Sequence, residues 1–202
     1  MIKLADLIRL NKPVALASQS PRRKKLLEQI GLEFEVLPSG VHEAPYDGGE
    51  THADYAMRLA LEKAREISLR KPSHIIIGAD TIVLLNGELL GKPEHETEAR
   101  EMLGKLSGKT HTVITGIAVI DDGVETTDYR ETLVTFRELT AEEIKLYVAG
   151  GSPMDKAGAY GIQDDFGAVF VNRIEGCYYN IVGLPLEALY ARLAKLSEAR
   201  AQ

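Results

Sequence analysis

Apolar runs and amphipathic stretches alternate along the chain. Val14 to Ala17 is a short apolar run that stops at Ser18, and Ser20-Pro21 then opens a helical pattern ending near Gly31. Proline suits the first helical position, whose amide has no intrahelical partner, and glycine suits the position just past the end. A second helix is predicted from Thr51 to about Arg70, with Thr51 and Asp54 spaced as a capping box and a core face rich in alanine. Ile75 to Leu85 reads as a buried strand interrupted in its middle, and Asn86-Gly87 follows as a tight turn.

Ala99, Met102, Leu103 and Leu106 recur at helical spacing before Ser107-Gly108. Thr112 to Ile120 reads as a strand closed by Asp122-Gly123, which predicts a hairpin. Thr140 with Glu143 forms a second capping-box pattern, leading a helix through Ile144, Tyr147 and Val148 to the breaker Gly150-Gly151. Gly158 to Ile162, Ala168 to Ile174 and Tyr178 to Val182 read as strands, and Pro185 opens a final amphipathic helix to about Leu196. Strands alternate with helices but hairpins also occur, so the expected fold class is α/β with a mixed sheet flanked by helices, in a single domain spanning residues 1–202.

Composition narrows the function. The net charge of −6 argues against a broad polyanion-binding surface, which needs an excess of Lys and Arg, so any phosphate chemistry must be local. The lone Cys177 cannot form an internal disulfide or a cysteine metal cluster. No long apolar segment of the kind that spans a membrane or directs export is visible, and a cytoplasmic location is expected.

Several residues sit where simple folding rules do not want them. Ser18-Gln19-Ser20-Pro21-Arg22-Arg23-Lys24-Lys25 puts two hydroxyls and four cations at a helix start, where unpaired amides already present partial positive charge. An anion such as a polyphosphate at that terminus explains the run; a solvated basic patch is the alternative. Asp80 falls inside an apolar strand, and an isolated buried carboxylate is costly unless paired, hydrogen-bonded or bound to metal. It reads as a metal ligand or general base, or as a strand-end carboxylate bonded to Thr81. Glu43 offers a second carboxylate for magnesium, which favours oxygen ligands and binds through few carboxylates plus substrate phosphates; otherwise it is a surface glutamate.

Lys63 shares its helical spacing with Ala56, Ala60 and Ile67 and points its ammonium either to the interior or, by snorkelling, to solvent. Lys92, in Gly91-Lys92-Pro93, is placed to reach a phosphate or orient water. Gly104-Lys105-Leu106-Ser107-Gly108-Lys109-Thr110 imitates a phosphate-binding loop, but it is one residue short between its glycines and leads into a strand, so it is rejected as one. Asp155-Lys156-Ala157-Gly158-Ala159-Tyr160-Gly161-Ile162-Gln163 joins small residues to an amide able to pair with a base edge, or is simply a glycine-rich strand.

Taken together, Ser18-Gln19-Ser20-Pro21-Arg22-Arg23, Gly78-Ala79-Asp80-Thr81, Gly91-Lys92-Pro93, Asp155 to Gln163 and Val182-Gly183-Leu184-Pro185 resemble the Maf family of nucleoside triphosphate pyrophosphatases, across nearly all of residues 14–196. The resemblance implies a fold like that of inosine triphosphate pyrophosphatases, with a nucleotide cleft between two lobes. It implies hydrolysis between the α- and β-phosphates with a divalent cofactor, Mg2+ or Mn2+. By the same resemblance Asp80 binds metal or activates water, Glu43 assists the metal, and Ser18, Arg22, Arg23, Lys63 and Lys92 hold phosphates. Arg22, Thr81 and Gln163 look like the combination of members acting on dTTP and UTP, and modified pyrimidine nucleotides fit the same pattern.

The chain departs from the family pattern at Gln19, at His42 and at Asp164-Asp165. The family is further associated with cleansing of nucleotide pools and with restraint of septum formation. Expected partners are the nucleoside triphosphate substrate, with a homodimer allowed and neither stable nucleic acid nor membrane. The competing expectations are a 7-methyl-GTP pyrophosphatase and a non-catalytic nucleotide-binding regulator.

Overall fold

The computed structural model describes residues 3–163 and 165–199. In chain order the elements are α1 (Leu4–Leu7), β1 (Val14–Leu16), α2 (Pro21–Gln29), β2 (Glu35–Val36), α3 (His52–Arg70), β3 (Ile75–Leu85), β4 (Glu88–Leu90) and α4 (Glu96–Leu106). There follow β5 (Thr110–Asp121), β6 (Val124–Phe136), α5 (Ala141–Ala149), β7 (Val171–Glu175), α6 (Tyr178–Val182) and α7 (Leu186–Ala199), with 3-10 turns at Ser152–Asp155, Ala157–Ala159 and Asp165–Phe170. The strands form one mixed sheet in the order β2-β1-β3-β5-β6-β7, with β4 pairing β3. Among the described residues no helix is long and apolar enough to cross a membrane.

The helix starts follow the local chemistry of the sequence. Ser20 caps α2 with Pro21 in its first turn, and Thr51 accepts the Asp54 amide at 3.1 Å to start α3. Thr140 and Glu143 form a reciprocal capping box on α5, each satisfying an amide that the helix leaves unpaired.

The chain divides into two compact units. The first comprises Met1–Asp80, Thr115–Arg130 and Gly183–Gln202, and the second Thr81–Ile114 and Glu131–Val182. In the first, β1 pairs in parallel with both β2 and β3, in the register Leu16↔Val36 and Leu16↔Ile77. Ala15, Ala17, Ala60, Ala64, Ile67, Ile76, Ala118 and Ile120 form a dry cluster joining α3 to the strands. Glycines set its spacing. A Cβ at Gly78 would strike the Ala60 carbonyl and lie 3.0 Å from the Ala64 methyl, while one at Gly116 would collide with the backbone of Ala56 and Met57. Hence α3 lies directly on the sheet backbone, closer than any side chain would permit.

In the second unit β4 pairs antiparallel with the end of β3, and β7 with the end of β6. His111, Phe136, Tyr160 and Phe170 pack edge to face at centroid distances of 4.8–5.9 Å. The Nε2 atom of His111 is 2.8 Å from the Tyr160 hydroxyl. Burial pulls the His111 imidazole down to about 4 and pushes the Tyr160 hydroxyl well above its usual range.

Four expectations change. The strand predicted to be interrupted at Gly78-Ala79-Asp80-Thr81 runs unbroken from Ile75 to Leu85. Gly158 to Ile162 is not a strand, because Gly158 and Ala159 adopt left-handed backbone at φ 69° and 59° and fold into a 3-10 turn. Of the strand expected over Ala168 to Ile174, the first part is 3-10 turn and only Val171–Glu175 is extended. Tyr178 to Val182 is helical: the Asn180 amide donates to the Val113 carbonyl at 2.9 Å and the Thr132 hydroxyl at 2.8 Å, outweighing the strand preference of its aromatic and branched neighbours. Of the pattern departures, Asp164 lies outside the described residues.

Candidate active site

Asp80 is the natural starting point, because it is the carboxylate inside an apolar strand. On β3 it lies two residues beyond Gly78 and so on the same face, the one that α3 covers. Lys63 stands one helical turn beyond Ala60, and its ammonium donates to the Asp80 carboxylate at 2.5 Å. The same ammonium meets Glu43 at 2.7 Å, from the segment between β2 and α3. The Lys63 and Asp80 side chains are 14% and 13% exposed and that of Glu43 is 47% exposed, so the cluster opens to solvent on the Glu43 side. Two carboxylates thus converge on one cation, which offsets the cost of placing a carboxyl group in an apolar strand.

The basic helix start belongs to the same unit. Parallel pairing of β1 with β3 brings Ser18, just past the β1 end, alongside the segment that carries Asp80. Ser18 is buried, and its hydroxyl accepts from the Ser20 amide at 3.2 Å and from the Arg23 guanidinium at 3.1 Å. Arg23 also donates through Nε to the Gly183 carbonyl at 2.8 Å, fixing the orientation of its fork. Burial lowers the proton affinity of Arg23 below its ordinary value; the charges of Asp80 and Glu43 oppose that shift and Arg22 adds to it. Acid and base are therefore electrostatically coupled in one region.

Not all four cations serve it. Arg22 is half-buried at the helix start, whereas Lys24 faces solvent 3.7 Å from Glu28 and Lys25 is exposed.

The remaining sequence candidates lie in the second unit. Thr81 is half-buried on β3, Lys92 is exposed in the turn after β4, and Gln163 is half-buried after the buried Ile162. Gly158 and Gly91 tie their two segments together, the Gly158 amide donating to the Gly91 carbonyl at 3.0 Å.

Tyr55 and Gly116 were not singled out in the sequence, and Gly78 was taken only as part of a family motif. Tyr55 is buried on α3, and its hydroxyl is pushed up first by burial and then by the negative charges of Asp80 and Glu43. Gly116 had a readable signal, an isolated glycine within a strand pattern, which marks close backbone approach. Asp80 and Glu43 supply two carboxylates around a position already filled by positive charge, a donor set that fits a hard divalent cation such as Mg2+. Among the described residues no group of three or more His, Cys, Asp or Glu side chains converges on one point.

A family model described as "Maf-like protein" matches residues 13–196. The dTTP/UTP pyrophosphatase of Bacillus cereus (strain ATCC 10987 / NRS 248) is 48% identical over 186 residues, covering 92% of this chain and 91% of its own. A Bacillus anthracis protein of the same description is also 48% identical, covering 92% of this chain and 96% of its own. The crystal structure of protein VC0702 from Vibrio cholerae overlaps 70% of this chain and 79% of its own at 14% identity and a TM-score of 0.34. Matched by the family model over residues 13–196 and by relatives at 48% identity over 92% of its length, the chain belongs to the Maf-like protein family.

Proposed function

We propose that this protein is a nucleoside triphosphate pyrophosphatase that hydrolyses dTTP and UTP to the monophosphate and pyrophosphate with a divalent metal, Mg2+ or Mn2+. The observation that carries the reading is the Asp80–Lys63–Glu43 cluster in the same unit as the Ser18–Arg23 helix start. The naming of relatives at 48% identity as dTTP/UTP pyrophosphatases supports it and points to the pyrimidine base.

In this reading Ser18, Arg22, Arg23 and Lys63 bind the phosphate oxygens, and the Lys63 ammonium exchanges a carboxylate partner for phosphate as substrate enters. A bound divalent metal, held by Asp80 and Glu43, supplies neutralisation of the charge on the attacked phosphate. Asp80 orients a water for in-line attack on the α-phosphorus and accepts its proton; the bond from that phosphorus to the bridging oxygen breaks and pyrophosphate leaves. Lys92 steadies the phosphate chain or the water. The Gln163 amide offers one donor and one acceptor to the imide edge of uracil or thymine, with Arg22 and Thr81 completing the choice of base. Such an activity removes excess or modified pyrimidine nucleotides from the pool.

The test is side-by-side turnover of UTP, dTTP and 7-methyl-GTP with Mg2+ or Mn2+, resolving monophosphate from diphosphate product. Asp80→Asn lowers turnover by about 10²–10⁴-fold, as loss of a proton-accepting group does. Formation of the nucleoside diphosphate with orthophosphate, preference for the methylated guanine, or an Asp80→Asn variant as fast as the parent sinks the corresponding part of the reading.

A further inference from the structure

Lys92 is exposed, yet the backbone on both sides of it is held. Pro93, which follows it, is buried. Gly91, which precedes it, gives its carbonyl to the Gly158 amide at 3.0 Å. Gly158 can make that bond because it adopts φ 69°, ψ 10°, a conformation that side chains disfavour. Space is tight for a side chain there as well, since a Cβ would lie 3.0 and 3.2 Å from the two Val83 methyl carbons. Val83 pairs in register with Leu90, the residue just before Gly91. The hairpin that presents Lys92 is thus also the floor on which Gly158 rests.

The segment carrying Gly158 is itself anchored. Ala159 continues the left-handed turn at φ 59° and donates its amide to the Lys156 carbonyl at 3.1 Å. The buried Lys156 ammonium in turn bonds the Ser152 carbonyl and, at 2.8 Å, the Asp155 carboxylate.

We infer that Gly158 is a positioning residue for Lys92: its amide, through the Gly91 carbonyl, sets where the lysine backbone stands and so where the ammonium reaches. The inference rests on the catalytic reading of Lys92 given above. Its chemistry is indirect, since Gly158 brings no side chain and acts only through the 3.0 Å backbone bond.

The test is a double-mutant cycle on UTP turnover, with thermal melts to score folding. Gly158→Ala lowers kcat by about 10- to 100-fold with KM changed less than about threefold, the penalty for displacing a reacting group by an ångström or so. In a Lys92→Ala background the same substitution has no further effect on kcat. Val83→Ile, which presses on Gly158 without altering any backbone preference, lowers kcat about threefold with Lys92 present and not at all without it; it decides the matter if Gly158→Ala does not fold.

A folded Gly158→Ala with unchanged kcat, or an equal loss in both backgrounds, overturns the positioning role alone. If Lys92→Ala turns over as fast as the parent, the catalytic reading of Lys92 falls, and the inference with it.

Discussion

Asp80 in the first unit and His111 in the second are both polar residues buried on strands, and the surrounding structure treats them in opposite ways. Asp80 is kept beside a cation: Lys63 bonds it at 2.5 Å, Glu43 shares that cation, and the group remains partly open to solvent. His111 is closed among Phe136, Tyr160 and Phe170, and its pKa falls to about 4, so it is a neutral ring at neutral pH. The Nδ1 atom of His111 has no hydrogen-bond partner among the described residues. One polar group is thus given a counter-ion and a route to water, while the other, enclosed among aromatic rings, is held neutral.

Breaking the charged side gives the largest effect. Gly78→Ala drives a methyl into the Ala60 carbonyl and lifts α3, so it costs about 3 kcal/mol or more in urea unfolding and carries Lys63 away from Asp80. A variant as stable and active as the parent would show that the close approach of α3 is unimportant.

The neutral side is sharpened by pH. The folded pKa of His111, about 4, lies below its ordinary 6.5, so between those values the unfolded chain takes up a proton that the folded chain refuses. Stability is fully present above about pH 6.5 and is lost as pH falls towards 4, by about 3 kcal/mol over the window. His111→Phe removes this component at a constant cost of about 1–3 kcal/mol for the deserted Tyr160 hydroxyl. Parallel stability curves for parent and variant between those pH values would rule the assignment out.

The smallest effect is expected beside Tyr160. Ala159 is buried at φ 59°, so Ala159→Gly relieves about 1 kcal/mol of backbone strain while losing a similar amount of methyl burial and chain restriction. The expected change is under about 0.5 kcal/mol, and a loss above about 1.5 kcal/mol contradicts it.

Most of the elements were legible because their signals are local. Ser20-Pro21, Thr51 with Asp54, and Thr140 with Glu143 mark helix starts through bonds made within three residues. The misread strands were governed by distant partners: Asn180 turns Tyr178–Val182 helical by reaching Val113 and Thr132, more than forty residues away in the chain. Likewise residue spacing alone marks Asp80 as out of place in its strand, whereas the gathering of Glu43 and Lys63 around it was implied only by the family resemblance. The contact of Lys63 with Asp80 depends on the close seating of α3 over Gly78 and Gly116, which is not written in the residues that carry the charge. Gly158 was visible only as part of a small-residue motif, since its partner, the Gly91 carbonyl, belongs to backbone and has no signature in side-chain chemistry.

The seating of α3 on Gly78 and Gly116 has an implication for how this chain can change length. With Ala56 and Ala60 pinned against the sheet, Lys63 is aimed by helical phase, and one inserted residue between Ala60 and Lys63 would swing the ammonium by about 100° around the axis. Insertions and deletions are therefore excluded from that single turn, whereas beyond Arg70, where the helix ends in exposed residues, added length leaves the aim untouched.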